Sequence, residues 1–304
     1  MARRNIARSG LIDQRNRATT RRRRRRGAEV VDSSPSELTE WLEAFDIDNA
    51  DLQTIDLVGF LRVTSPIDLS PTERLRRLAI HLEVQAQLRP GAEGWLALKR
   101  IYHYALKLNP RDSAVLVSMG ITASSWPADP EQEKEMLAAG LSALRQAVSL
   151  RPDDGHTRYT LGILEYCADD RTAALRAFEE ALALASDSTT RSWAQLYKAH
   201  CLHDEQSWQA ALDAYDEVDL SAFTGLRSWR IDVLREQRSH CIYHLGRTEE
   251  ARRIVVEILE RYEKEPHLAC HAMSNSLWQV LKALSPALVA RAKEIDSPAD
   301  ETEC

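Results

Sequence analysis

One recurring spacing constrains this chain more than any other feature. Between Gly155 and Ser186 the sequence GHTRYTLGILEYCADDRTAALRAFEEALALAS reads as two helices joined by a short polar turn. On the second helix Ala174, Phe178 and Ala181 stand at i, i+4 and i+7, on one face. On the first, Leu161 and Gly162 set an apolar residue beside a small one. Small residues let two helices approach, and one large ring fills the remaining space. The same spacing returns in Leu98-Tyr102-Ala105, Gly140-Leu144-Ala147, Ala211-Tyr215-Val218 and Ala251-Val255-Ile258. The starts of the five are 42, 34, 37 and 40 residues apart. A single such pattern is weak, because any packed helix can show it. Five at near-constant spacing define an array of helix pairs.

Punctuation falls in phase with the array. Pro110 and Pro152 follow second helices in LKLNPRD and VSLRPDD, where proline sharpens the stop. The surplus in the second repeat fits the loop SSWPADPEQEK, which Pro127 and Pro130 keep from being helical. Leu116-Met119-Gly120 repeats the pairing of apolar and small residues, and Gly246 sits in the turn of YHLGRTEEA. In the fourth and fifth pairs Lys198 and Arg238 take the apolar position, with Ala199 and Ser239 at the small one.

These residues resemble the tetratricopeptide (TPR) repeat, with its Leu-Gly on the first helix and Ala-x3-Phe-x2-Ala on the second. The resemblance covers roughly residues 71–265. It implies an all-α, right-handed α-solenoid of about five TPR-like helix pairs with capping helices. The chain then divides into an Arg-rich arm (1–33), acidic and hydrophobic capping helices (34–70), repeats (71–265), C-terminal capping helices (266–296) and an acidic tail (297–304). Residues 34–70 also read as a docking peptide, although covering the end of the stack is the blander reading.

Composition agrees with a helical protein. It is 44% hydrophobic with only 11 glycines, which argues against a sandwich or barrel. No apolar run approaches the roughly 18 residues of a spanning helix, and no secretory segment follows the basic N-terminus. A cytoplasmic protein is expected, or a nuclear one in a eukaryote. The five cysteines form no C-x2-C pair and read as reduced core residues.

Charge separates two objects. Residues 1–27 carry eleven Arg and one acid, a net of +10, and the rest carries a net of −16. The run Arg21, Arg22, Arg23, Arg24, Arg25, Arg26 offers nothing to bury and is expected to be disordered in isolation. Three uses stay open. The arm can bind a polyanion and release its counterions, act as a targeting signal, or fold back on the acidic body.

The resemblance further implies a concave groove, lined by first helices, that binds a peptide or partner helix. On the family's pattern the groove residues are Tyr159, Ile163 and Tyr166 in the third repeat, and Trp193, Leu196, His200 and His203 in the fourth. In the fifth they are Glu236, His240, Tyr243 and His244. Aromatic anchors of this kind are what interface hot spots favour. Packing between repeats is the competing use of Trp193. A carboxylate clamp is not expected, because neither Asn109 nor Asn275 falls on a groove position.

His200 and His240 hold equivalent positions and are expected to be neighbours across the stack. No cofactor or metal is expected. If a metal binds, its candidates are His200, His203, His240 and His244, because His240 and His244 at i, i+4 can reach one ion. The chain lacks G-x-x-x-x-G-K-S/T, G-x-G-x-x-G and G-x-S-x-G, so no enzyme is expected. The expected function is a non-enzymatic adaptor or scaffold for a protein partner, with an acidic partner on the arm. The alternatives are a nucleic-acid-associated factor tethered by the arm, and a metal-binding or metal-sensing protein. No membrane partner is expected, and a homo-oligomer stays open.

Overall fold

The computed structural model describes residues 101–103, 105–125, 130–223, 229–269 and 273–296, together with Glu73, Arg76, Arg77 and Ala79. The expected arm, the N-terminal capping helices, most of the first repeat, the acidic tail, and Cys270 and His271 lie outside the described residues. The chain divides into two compact units, the first ending at Asp170 and the second beginning at Arg171.

In the first unit, helical residues 101–103 and 105–108 precede α1 (Ser113–Ser125), α2 (Pro130–Leu150) and α3 (Gly155–Cys167). Asp112 starts α1: its Oδ1 accepts from the Ala114 and Val115 amides at 3.0 and 3.2 Å. Asp154 does the same for α3, accepting from His156 and Thr157. α2 opens on Pro130, where a missing N–H leaves no bond unmade. The helices meet through glycine. A Cβ on Gly120 would lie 2.3 Å from Leu144 Cγ, and one on Gly140 would lie 2.6 Å from Ala123 Cβ and 2.8 Å from Leu164 Cδ2. Tyr102, Ala105, Leu144 and Ala147 are fully buried, and the Tyr102 hydroxyl pairs with Thr122 Oγ1 at 2.8 Å.

The second unit runs through α4 (Arg171–Leu184), α5 (Ser188–Asp204), α6 (Trp208–Asp216), a 3-10 turn (Leu220–Ala222), α7 (Trp229–His244) and α8 (Thr248–Lys264). It ends with α9 (Pro266–Ala269), α10 (Asn275–Leu284) and α11 (Pro286–Asp296). All nine pattern residues of α4, α6 and its extension, and α8 are buried, from Ala174 to Ile258. The small positions Ala199 and Ser239 are buried as well, while Lys198 and Arg238 are only partly covered. Rings join the elements: Trp193 meets Phe223 edge-on at 4.9 Å, and Arg230 lies 4.1 Å over Trp229 and 5.2 Å over Trp193. α10 docks on α7, and Arg291 Nη2 of α11 donates to Glu263 Oε2 of α8 at 2.7 Å.

Three first helices end in one way. The amides of Asp169 and Asp170 bond back to Tyr166 and Glu165, those of Gln206 and Ser207 to His203 and Leu202, and those of Gly246 and Arg247 to Tyr243 and Ile242. This paired closure needs a left-handed residue at the turn. Asp169, Gln206 and Gly246 supply it with φ of 68°, 60° and 79°. Only one of the three is glycine, so only that one was legible as a left-handed position.

Candidate functional site

The expected groove residues sit mostly inside. Tyr159, Ile163, Trp193, Leu196 and Glu236 are buried, as are His200, His203 and His240. Tyr166 and Tyr243 are partly covered, and His244 is exposed. Glu236, fully buried, accepts from the Tyr262 hydroxyl at 2.6 Å and from the Met273 and Ser274 amides at 2.8 and 2.7 Å. Its carboxylate therefore holds the start of α10 on α7.

The histidines divide into two groups. His200 turns to Tyr215, Nδ1 to hydroxyl at 2.8 Å, and burial drives its pKa down to about 3, with the Arg230 charge adding to the effect. It is not the neighbour of His240. His203, one turn further along α5, takes that place, with Nε2 at 3.0 Å from His240 Nδ1. The residue that meets His240 thus stands three positions beyond the one equivalent to it, so equivalence in the repeat did not become contact. His240 Nε2 in turn lies 3.2 Å from His244 Nε2 and 2.8 Å from Gln279 Oε1.

Trp208, at the start of α6, covers this cluster. Its ring stacks on His244 at 4.2 Å and 9°, and stands edge-on to His203 and His240 at 5.5 and 5.3 Å. Sequence reading missed Trp208 and Gln279. Trp208 lies on a second helix, away from the positions taken as groove, and Gln279 is 39 residues from His240. No local pattern links them.

An open cleft of about 440 Å³ lies along another face of α5, lined by Ser188, Arg191, Ser192, Gln195 and Lys198 with Asp219 and Glu217 beyond α6. Gln195 Nε2 donates to Ala214 O at 3.1 Å and Glu217 Oε2 at 2.7 Å, which fixes the cleft floor. Gln195 follows Trp193 by two residues, about 200° around the helix. The buried aromatic face and the open polar face of α5 are thus nearly opposite. Of the five cysteines, Cys167, Cys201 and Cys241 are described, and all are buried. Burial pushes the Cys241 thiol up to about 12 and the Cys201 thiol higher still, as for inert core residues. No helix among the described residues is long and apolar enough to cross a membrane.

The three left-handed turns stand 37 and 40 residues apart, the same separations as Ala174, Ala211 and Ala251. The fold is TPR-like. No sequence-family profile matches the chain, and no curated protein matches it. Solved structures with a similar fold include MamA, at 18% identity and a TM-score of 0.47, covering 64% of this chain and 94% of that one. The thermophilic TPR protein TTC0263 of Thermus thermophilus has 16% identity and a TM-score of 0.37, covering 64% of this chain and 99% of its own. Human IFIT1, solved as a dimer with m7Gppp-AAAA, has 16% identity and a TM-score of 0.45, covering 86% of this chain and 57% of its own. At these values the likeness carries no argument about this chain, and partners of those proteins do not carry over.

Proposed function

We propose that this chain is a non-enzymatic TPR-like adaptor that holds an extended segment of a protein partner, with its Arg-rich arm contacting a second, acidic partner. The observation that supports the first part is the open cleft along α5. It carries cations (Arg191, Lys198) and anions (Glu217, Asp219) beside serine hydroxyls. An extended peptide offers alternating backbone donors and acceptors, and a lining of both kinds answers it. Tyr243 and His244, with Trp208 beneath, add an aromatic edge to the same unit. Support for the arm is its charge, +10 over residues 1–27 against −16 for the rest.

The test is affinity purification from the native host. Full-length protein, a chain lacking residues 1–27 and an Arg191→Glu/Lys198→Glu double variant are compared with and without nuclease. The adaptor reading expects the cleft's partner with either of the first two, nuclease or not, the acidic partner alone missing from the chain lacking residues 1–27, and the cleft's partner missing from the double variant. Recovery of the cleft's partner that collapses on nuclease treatment or arm deletion sinks it in favour of a nucleic-acid-tethered factor, whose binding would also fall steeply with salt.

A further inference from the structure

Where α7 meets α10, one imidazole nitrogen has both a second imidazole nitrogen and an amide oxygen beside it. His240 Nε2 has His244 Nε2 at 3.2 Å and Gln279 Oε1 at 2.8 Å. A neutral ring nitrogen carries one proton or one lone pair. His240 Nε2 therefore cannot give a full hydrogen bond to both neighbours. A cation among the three satisfies them together, since each then presents a lone pair.

The spacing fits. Two imidazoles on a tetrahedral ion, at metal–nitrogen distances of about 2.0–2.1 Å, hold their nitrogens about 3.3 Å apart. Histidines at i, i+4 on one helix face reach such an ion together. Among the described residues no three His, Cys, Asp or Glu side chains group so as to hold a metal ion, and the other donor beside His240 Nε2 is the Gln279 amide oxygen. His244 is exposed, which leaves room for water at the remaining position.

A second observation is independent of the first. A histidine that gives Nε2 to a metal must place its Nδ1–H on an acceptor, and such partners set the tautomer. His240 Nδ1 faces His203 Nε2 at 3.0 Å, and His203 Nδ1 lies 3.7 Å from Asp204 Oδ1. A carboxylate and an imidazole thus stand in line behind His240. Trp208, stacked on His244, holds the other ring.

We propose that His240, His244 and Gln279 form a site for one divalent transition-metal ion of the zinc class, with His203 as the positioning residue for His240. The site is separate from the cleft along α5, and the His200 imidazole takes no part because it packs against Tyr197 and Tyr215 and not against these three residues.

Zinc chloride titrated into the full chain, followed by calorimetry, tests the proposal. One tight equivalent is expected. His244→Ala, at an exposed position that leaves the fold intact, is expected to weaken it by at least about 10–100-fold, and His203→Ala by a comparable factor. A long-range 1H–15N spectrum of the imidazoles provides a readout that a packing role would not move. Zinc is expected to shift Nε2 of His240 and His244, leave His240 Nδ1 protonated, and in His203→Ala mix the His240 tautomers. Zinc affinity unchanged in His244→Ala, or shifts confined to other histidines, overturns the site.

Discussion

Tyr262 donates its hydroxyl to Glu236 Oε1 at 2.6 Å across the α7–α8 pair, at a point where both residues are fully buried. The same oxygen accepts the Met273 amide, and Oε2 accepts the Ser274 amide. Burial raises the Glu236 pKa while these donors pull it back down. One carboxylate therefore joins α7, α8 and the start of α10.

Tyr262→Phe removes one of three donors and keeps the ring. It is expected to destabilise the second unit by about 1.5–3 kcal/mol, the range for hydrogen bonds to charged groups. Urea denaturation measures it. A loss under about 0.5 kcal/mol, the bottom of the range for ordinary hydrogen bonds, would show that water replaces the hydroxyl.

Gly120→Ala places a methyl 2.3 Å from Leu144 Cγ, which is no flexible chain end. The expected cost is about 1–3 kcal/mol. Adding Leu144→Ala to this variant should cost less than Leu144→Ala in the wild type, because the two volumes compete for one space. Simple additivity in thermal melts would mean that α1 and α2 move apart instead.

The three helix-ending turns make a series. A Cβ on Gly246 meets nothing within 4 Å, yet its φ is 79°. Gly246→Ala should therefore cost about 1–2 kcal/mol from conformation alone. Gln206→Gly, at φ 60°, is expected to gain stability, by no more than about 1 kcal/mol since glycine is also freer when unfolded. Denaturation midpoints that move in the same direction for both would contradict this.

Acid should weaken the second unit through His200. Its pKa falls from 6.5 to about 3 in the folded chain, so the unfolded chain takes the proton first. The contribution is complete above pH 6.5 and is lost as pH falls toward 3, about 2 kcal/mol by pH 5. His200→Gln keeps a polar partner for Tyr215 and should flatten the slope of stability against pH between 6.5 and 5. An unchanged slope would assign the acid sensitivity to other groups.

The sequence by itself determined the helical pairs, because a spacing of i, i+4 and i+7 can bury Ala174, Phe178 and Ala181 only on a helix. It also determined where glycine was needed, at Gly120 and Gly246, and which positions would be small, at Ala199 and Ser239. Which polar groups would meet was decided by the tertiary structure. His203 rather than His200 reaches His240, Gln279 arrives from a helix 39 residues on, and Trp208 closes over them. Periodicity assigns a residue to a face of its own helix. What lies over that face depends on the crossing of helices from distant segments, and a one-turn offset there exchanges one histidine for another.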